Sequence, residues 1–422
     1  MKYKTRKINK YKKTNKKYNI FTRNKKGGEV IGAGGYGCVF SPALRCAGSN
    51  DRKGDISKLL EKNDANDEWN ELKNVRNIVK NIPNYNNYFL VNNIFKCKPN
   101  KITDADLKNV IICENALGSI GISTTEINKN LDKLEIINMP YGGLDLLKII
   151  TENKELFSIL NNILIELLVN GILPMNKLGF FHCDIKAQNI LYLKQKCRLI
   201  DWGISTLINN IPVKSIPDKI KNNKLQYNSP FSRIIFNKIF DDYYKLHIEN
   251  NSKIYKSNPN LNTHLQVLMF DYYFHFVKLA GEGHENFINN YFIPEFFKIN
   301  EINNPPKDFN LTAYLFSLYM TKILIKYIDF KDKSFKKTDY FNQVYIKNLD
   351  TWGFLSIYFE YIMNNYNKTL KINLSNIIID YCYSDEYADK AIDISKLVFS
   401  LKNANKKISK KVNLNKLFKI AK

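Results

Sequence analysis

Apolar and polar positions change rhythm along this chain. Glu29-Val30-Ile31 runs into a glycine cluster, and Cys38-Val39-Phe40 leaves it as an extended apolar stretch. That pattern predicts two strands with the glycines at the turn. Asp55-Ile56-Ser57-Lys58-Leu59-Leu60 reads as another strand. From Ala65 to Lys80 the apolar residues Leu72, Val75, Ile78 and Val79 recur at helical spacing. Tyr88 to Phe95 and Leu134 to Met139 read as strands again, so this first part is mostly sheet with one helix.

Beyond Gly142-Gly143 the rhythm turns helical. Asp145 to Thr151 and Leu156 to Leu173 are predicted helices. Short strands are expected over Asn189-Ile190-Leu191-Tyr192 and Cys197-Arg198-Leu199-Ile200. From Ser229 onward the pattern is helix and loop, rich in Tyr and Phe. A run of strands followed by a run of helices predicts an α+β class.

Composition narrows the picture. Hydrophobic residues make up 44% of the 422, which excludes a globally disordered chain. The net charge of +24 belongs to the ends: residues 1–26 hold twelve Lys/Arg and residues 402–422 hold eight Lys, with no acid in either. About four of the +24 remain for everything between. Both ends read as solvated basic tails, expected to touch nucleic acid or anionic surfaces nonspecifically. Neither interleaves aromatics or carries a base-reading motif. The seven Cys are odd in number and contain no C-x-x-C, so neither a disulfide framework nor a zinc site is expected. A reducing, intracellular and cytoplasmic setting follows. The N-terminus has no apolar signal-like region. The most apolar run, Leu156 to Leu173, is interrupted by Asn161, Asn162, Glu166, Asn170 and Gly171, so no transmembrane segment is expected.

Three segments carry chemistry. The first is Gly32-Ala33-Gly34-Gly35-Tyr36-Gly37. A dinucleotide-binding turn would need a helix directly after the glycines. Here a strand follows, which fits a hairpin covering phosphates better. Lys58, in its apolar strand, reads either as an edge lysine facing solvent or as a cation reaching phosphates. The second role needs a helix-borne carboxylate. Glu68 shares a line with Leu72, Val75 and Val79, the side expected to face the sheet, and Glu71 is the alternative. The other two segments are His182-Cys183-Asp184-Ile185-Lys186-Ala187-Gln188-Asn189 and Asp201-Trp202-Gly203. Two strands and a turn between them can return Asp201 to the neighbourhood of Asn189. Both would then offer hard oxygen ligands to Mg²⁺. Asp184 would orient an attacking hydroxyl and accept its proton.

In this order, the segments resemble those of eukaryotic-type Ser/Thr protein kinases, most closely the protein kinases of large DNA viruses. The resemblance covers roughly residues 28–232 and 340–400. It implies a bilobal protein-kinase-like fold: a small β-rich N-lobe over 27–141 and a large helical C-lobe over 142–401. It implies ATP and Mg²⁺ as cofactors and a protein Ser/Thr hydroxyl as acceptor. Gly32, Gly34, Gly35, Gly37, Val39 and Lys58 would surround the nucleotide. Met139-Pro140-Tyr141-Gly142-Gly143 resembles the hinge, with Met139 as gatekeeper, the Pro140 carbonyl and Gly142 amide facing adenine. Lys186 would contact the γ-phosphate, a position favouring Ser/Thr kinases over tyrosine kinases. Asp350, in Asn348-Leu349-Asp350-Thr351-Trp352-Gly353, would bond the catalytic-loop backbone. A viral origin would add the viral factory or virion as locations. A small-molecule phosphotransferase and an inactive kinase-like scaffold are the alternatives on the same motifs.

The chain departs from that pattern in several places. Cys183 stands where the motif has Arg, and Trp202 where it has Phe. Asn228-Ser229-Pro230 replaces Ala-Pro-Glu, so the usual buried Glu–Arg pair is expected to be missing. Asp350 follows Ser232 by 118 residues, which predicts an inserted helical block over 233–340. Without the Arg that pairs with a phosphorylated loop, activity is expected to be constitutive. Ser205→Ala, Thr206→Ala and Ser215→Ala should each leave phosphotransfer near wild type. A loss of about a hundredfold in steady-state assays, roughly 2.7 kcal/mol, would overturn this.

Overall fold

Glu61 ends one strand and caps the helix that follows it. The computed structural model describes residues 29–34, 37–49, 54–222, 224–250, 260–277, 283–299 and 310–405. The tail expected at 1–26, all but 402–405 of the C-terminal tail, and Gly35 lie outside the described residues. The class is mixed α+β. Contacts divide the chain after Gly143 into Met1–Gly143 and Leu144–Lys422.

The first unit holds strands β1 (Glu29–Gly34), β2 (Gly37–Ser41) and β3 (Ile56–Glu61), helix α1 (Lys62–Val79), and strands β4 (Phe95–Cys97) and β5 (Leu134–Met139). They form one antiparallel sheet in the order β1-β2-β3-β5-β4. Helix α1 starts three residues ahead of the predicted Ala65. The Glu61 carboxylate accepts from the Asn63 and Asp64 amides at 2.6 and 3.3 Å, supplying the cap that periodicity does not reveal. The strand expected over Tyr88 to Phe95 is not formed. Asn93 sits at φ +55° and the Asn92 amide bonds Tyr85 Oη at 2.9 Å, so strand pairing starts only at Phe95.

Strand alternation gives the sheet two apolar faces. Leu60 and Ile137 pack with Ala65 of α1, flanked by Trp69 and Leu72. Cys38, Phe40, Leu59 and Ile136 face the other way. That second face is sealed by the stretch between β4 and β5, which forms short helical turns at Val110–Cys113, Glu114–Gly118 and Thr124–Lys129. Two disulfides cross this unit: Cys38–Cys113 joins that stretch to β2, and Cys46–Cys97 joins the loop after β2 to β4. This corrects the expectation of no disulfide framework. The partners are 75 and 51 residues apart, so only the folded packing of the unit brings them together.

The second unit holds β6 (Leu144–Asp145), α2 (Leu146–Glu152), α3 (Phe157–Leu167), β7 (Phe180–Phe181), β8 (Ile190–Leu193), β9 (Lys196–Leu199) and β10 (Thr206–Leu207). Then come helices α4 (Lys238–Tyr244), α5 (Leu261–Tyr272), α6 (Leu311–Tyr327), α7 (Ile346–Asn364), α8 (Lys368–Ile378) and α9 (Ile394–Lys402). Strands β6, β8 and β9 make one small antiparallel sheet, and β7 with β10 another. Among the described residues one helical run, Lys154–Lys177, is long and apolar enough to cross a membrane. Its polar Asn161 is spent inside the unit, donating to the Leu401 carbonyl at 2.9 Å and accepting from Tyr358 Oη at 2.7 Å. That is the behaviour of a core helix.

Helix α7 is the axis of this unit, buried along nearly its whole length. Phe231 meets Phe316 and Tyr319 of α6 and Trp352 of α7 with its ring edge-on, centroids 5.8 Å apart in each case. Helix α6, within 233–340, is thus packed into the core of the unit. Ser232 accepts from Tyr340 Oη at 2.8 Å. Arg233 is buried nearby, and among the described residues its Nε and Nη2 meet no acceptor.

Cys183, Cys197 and Cys382 are free and buried. Burial pushes the Cys183 and Cys197 thiols up to about 12, so both stay protonated near neutrality. Disulfide-exchange titration of the folded protein should therefore register no rapidly reacting thiol. Guanidinium should release three, and added reductant the remaining four. A fast thiol in the native state would contradict this burial.

Candidate functional site

The second unit gathers most of the polar chemistry on one loop. β7 leads into His182, and the loop runs to β8. Cys183 adopts φ +66°, a left-handed backbone that a non-glycine residue holds only when its surroundings fix it. The fixing group is Asp350 on α7. Its carboxylate accepts the His182 amide on one oxygen and the Cys183 amide on the other, both at 2.9 Å. With its amide nitrogen turned inward, Asn176 adds a third donor at 2.8 Å. Asp350 is fully buried. Burial pushes its carboxyl up, opposed by the nearby His182 ring and the two backbone donors.

The His182 ring braces the next segment. Its Nε2 lies 3.0 Å from the Ile200 carbonyl, and its Nδ1 accepts the Asp184 amide at 3.3 Å. Trp202 stacks over Phe180 and tilts against His182, with centroids 5.8 and 4.7 Å away. The Ile200 amide donates to the Asn189 carbonyl at 3.0 Å, so the residue before Asp201 is held against Asn189. Asp201 itself is at φ +66°, exposed, and its carboxylate has no partner among the described residues.

Three nitrogens converge on the Asp184 carboxylate. Lys186 Nζ and Asn189 Nδ2 reach Oδ2 at 2.8 and 2.9 Å. Asn228 Nδ2 reaches Oδ1 at 2.7 Å and also the Ile185 carbonyl at 3.2 Å. An ionised carboxylate has about four lone-pair sites. Three donors leave one open, on Oδ1, where a hydroxyl could donate. Asn189 also donates to the Asp184 carbonyl at 2.9 Å, so its Nδ2 is spent and its Oδ1 is left as an acceptor. The Asn189 amide oxygen and the Asp201 carboxylate suit a hard divalent cation that keeps water in its shell. Among the described residues no group of three or more His, Cys, Asp or Glu forms a metal cage.

Asn228 is the residue that sequence reading missed. In the sequence it is only the first residue of a segment standing where Ala-Pro-Glu is expected. The signal that could have found it is its side chain, since a buried Asn beside a Pro-terminated turn needs partners. Helix α7 holds this segment as well: Trp352 Nε1 donates to the Tyr227 carbonyl at 3.2 Å. A Cβ on Gly353 would stand 2.9 Å from the Ile185 carbonyl oxygen and 3.3 Å from that of Asn228, so both chains approach the helix through a gap only glycine leaves.

In the first unit Lys58 lies opposite Val39 on β2 and Ile137 on β5. Its Nζ bonds Glu68 Oε2 at 2.5 Å, each side chain about a quarter exposed. The two glycines flanking Gly35 and Tyr36 are the ends of β1 and β2, Gly34 opposite Gly37. A Cβ on Gly37 would sit 2.6 Å from the Leu59 carbonyl oxygen, whereas one on Gly32 would meet nothing within 4 Å. Met139 closes β5, and its carbonyl accepts the Asp55 amide at 3.1 Å. Asp55 Oδ2 in turn accepts the Tyr141 amide at 2.9 Å, which fixes the segment through Pro140 toward Gly142.

No protein-family model matches the sequence, and no curated protein matches it either.

Asp350→Asn should destabilise the chain by about 1–3 kcal/mol, because the amide offers one acceptor oxygen where two backbone N–H groups need acceptors. Guanidinium unfolding followed by Trp fluorescence measures this. An unchanged midpoint would show that the two hydrogen bonds do not hold the loop.

Proposed function

We propose that the protein is an ATP- and Mg²⁺-dependent Ser/Thr protein kinase with a bilobal protein-kinase-like fold. In this reading the first unit is the small lobe and the second the large lobe. The observation that carries it is the Asp184 carboxylate, held by three donors and left with one open acceptor site. A group so placed can fix the direction of a substrate hydroxyl and take its proton as the oxygen attacks phosphorus. Lys186, on the other carboxylate oxygen, supplies positive charge beside the reacting phosphoryl group.

The glycines at 32, 34, 35 and 37, Val39 and Lys58 are assigned to the nucleotide, with Glu68 holding the Lys58 ammonium. Met139, the Pro140 carbonyl and the Gly142 amide are assigned to adenine. Asn189 and Asp201 would hold Mg²⁺, which when bound neutralises phosphate charge and orients the transferred group. The protein acceptor, the location in cytoplasm, viral factory or virion, and polyanion contact through the basic ends belong to the same proposal.

The test is transfer of labelled phosphate from ATP to one generic basic and one generic acidic protein, with phosphoamino-acid analysis. Wild type should label Ser or Thr. Asp184→Asn and Asp201→Ala should each lower kcat by about a thousandfold. Transfer only to small hydroxyl compounds would move the reading to a metabolite phosphotransferase. Equal rates in wild type and both variants would remove the catalytic assignment, and no ATP binding at all would leave a scaffold.

A further inference from the structure

Lys58 is one of two lysines that rise from the sheet beside α1. The other is Lys96 on β4. Both lie opposite Ile137, Lys58 from one side of β5 and Lys96 from the other. Cross-strand partners point to the same face, so both side chains stand on the face that α1 covers, with Ile137 and Ala65 packed between them. Lys96 Nζ bonds two groups, the Asn66 amide oxygen on α1 and Glu135 Oε2 on β5. The site is well enclosed, with the Lys96 and Glu135 side chains 18% and 11% exposed.

The helix geometry gives this arrangement a purpose. Residues two apart on a helix point about 200° apart. Asn66 and Glu68 therefore lie on opposite flanks of the stripe that Ala65, Trp69 and Leu72 press onto the sheet. One flank is held by Lys58 and the other by Lys96. Rolling α1 far enough to part Glu68 from Lys58 would also have to break or stretch the contact at Asn66.

We propose that Lys96, bridging Asn66 and Glu135, is a positioning residue that sets the rotation of α1 and so keeps Glu68 on the Lys58 ammonium. Glu135 holds Lys96 in place from beneath, and Asn66 is the point where the lock engages the helix. The lock itself is a matter of the first unit alone. Its catalytic consequence rests on the kinase reading.

Asn66→Ala is the variant of choice. It removes the helix end of the bridge, leaves the Lys96–Glu135 pair intact, and puts a better helix former on α1, so a loss is not one of folding. Lys58 reactivity is read by brief acetylation with sulfosuccinimidyl acetate and peptide mass spectrometry. Glu68→Ala marks the rate of an unpaired Lys58. Asn66→Ala should raise Lys58 labelling about fivefold over wild type, and Asn66→Asp, which restores an acceptor, should bring it back. In phosphotransfer, Asn66→Ala should lower kcat, and Asn66→Ala with Glu68→Gln should be no worse than Glu68→Gln alone. Wild-type labelling of Lys58 in Asn66→Ala, or fully additive kinetic losses, would overturn the lock. If the wild type transfers no phosphate, the kinase reading fails while the labelling still decides the lock.

Discussion

Two backbone N–H groups on one buried carboxylate organise the second unit. Asp350 accepts from His182 and Cys183, and a left-handed turn at Cys183 follows from that grip. The same helix then takes hold of two further stretches. Gly353 lets the Ile185 and Asn228 carbonyls approach, Ser356 reaches the Ile185 carbonyl at 3.4 Å, and Trp352 holds Tyr227. Of the residues that converge on Asp184, Lys186 and Asn189 share its loop and Asn228 comes from 44 residues on, and α7 holds both stretches within two turns of helix. A buried charge is costly to place. Here its acceptor sites are used to hold the backbone of a loop whose Ile185 and Ala187 are buried as well.

Much of the architecture is written in periodicity. The strands around the glycines, the apolar run at Lys58 and the strand ending at Met139 alternate clearly, because each has one face against a core. What periodicity does not carry is side-chain capping and side-chain donation. The start of α1 depends on the Glu61 carboxylate, and the loss of strand over Tyr88 to Ile94 depends on Asn92 and Asn93. Between Glu68 and Glu71 the sequence leaves a choice, since both lie on nearby faces. The structure places Glu68 on Lys58.

The loop was legible where motif order and spacing single residues out, as with Asp184, Asn189 and Asp201. It was not legible at Asn228, one Asn in an Asn-rich chain, whose contribution appears only when its amide is seen on Asp184. The disulfides escaped for a related reason. Cys38 and Cys113 belong to opposite walls of a core whose second wall shows no periodic signal. Sequence separation says nothing about such meetings, because loop closure costs grow only slowly with length.

The glycines at the head of the chain obey two different rules. Around Gly32 there is open space and the backbone is not left-handed, so neither room nor conformation within the chain demands glycine there. At Gly37 the neighbouring strand's carbonyl occupies the volume a methyl would need. Any larger residue there would wedge β2 away from β3 one residue from Lys58's own neighbour. One member of the motif is thus tolerant of replacement within its own strand, and the other a spacer whose smallness keeps the lysine strand in register.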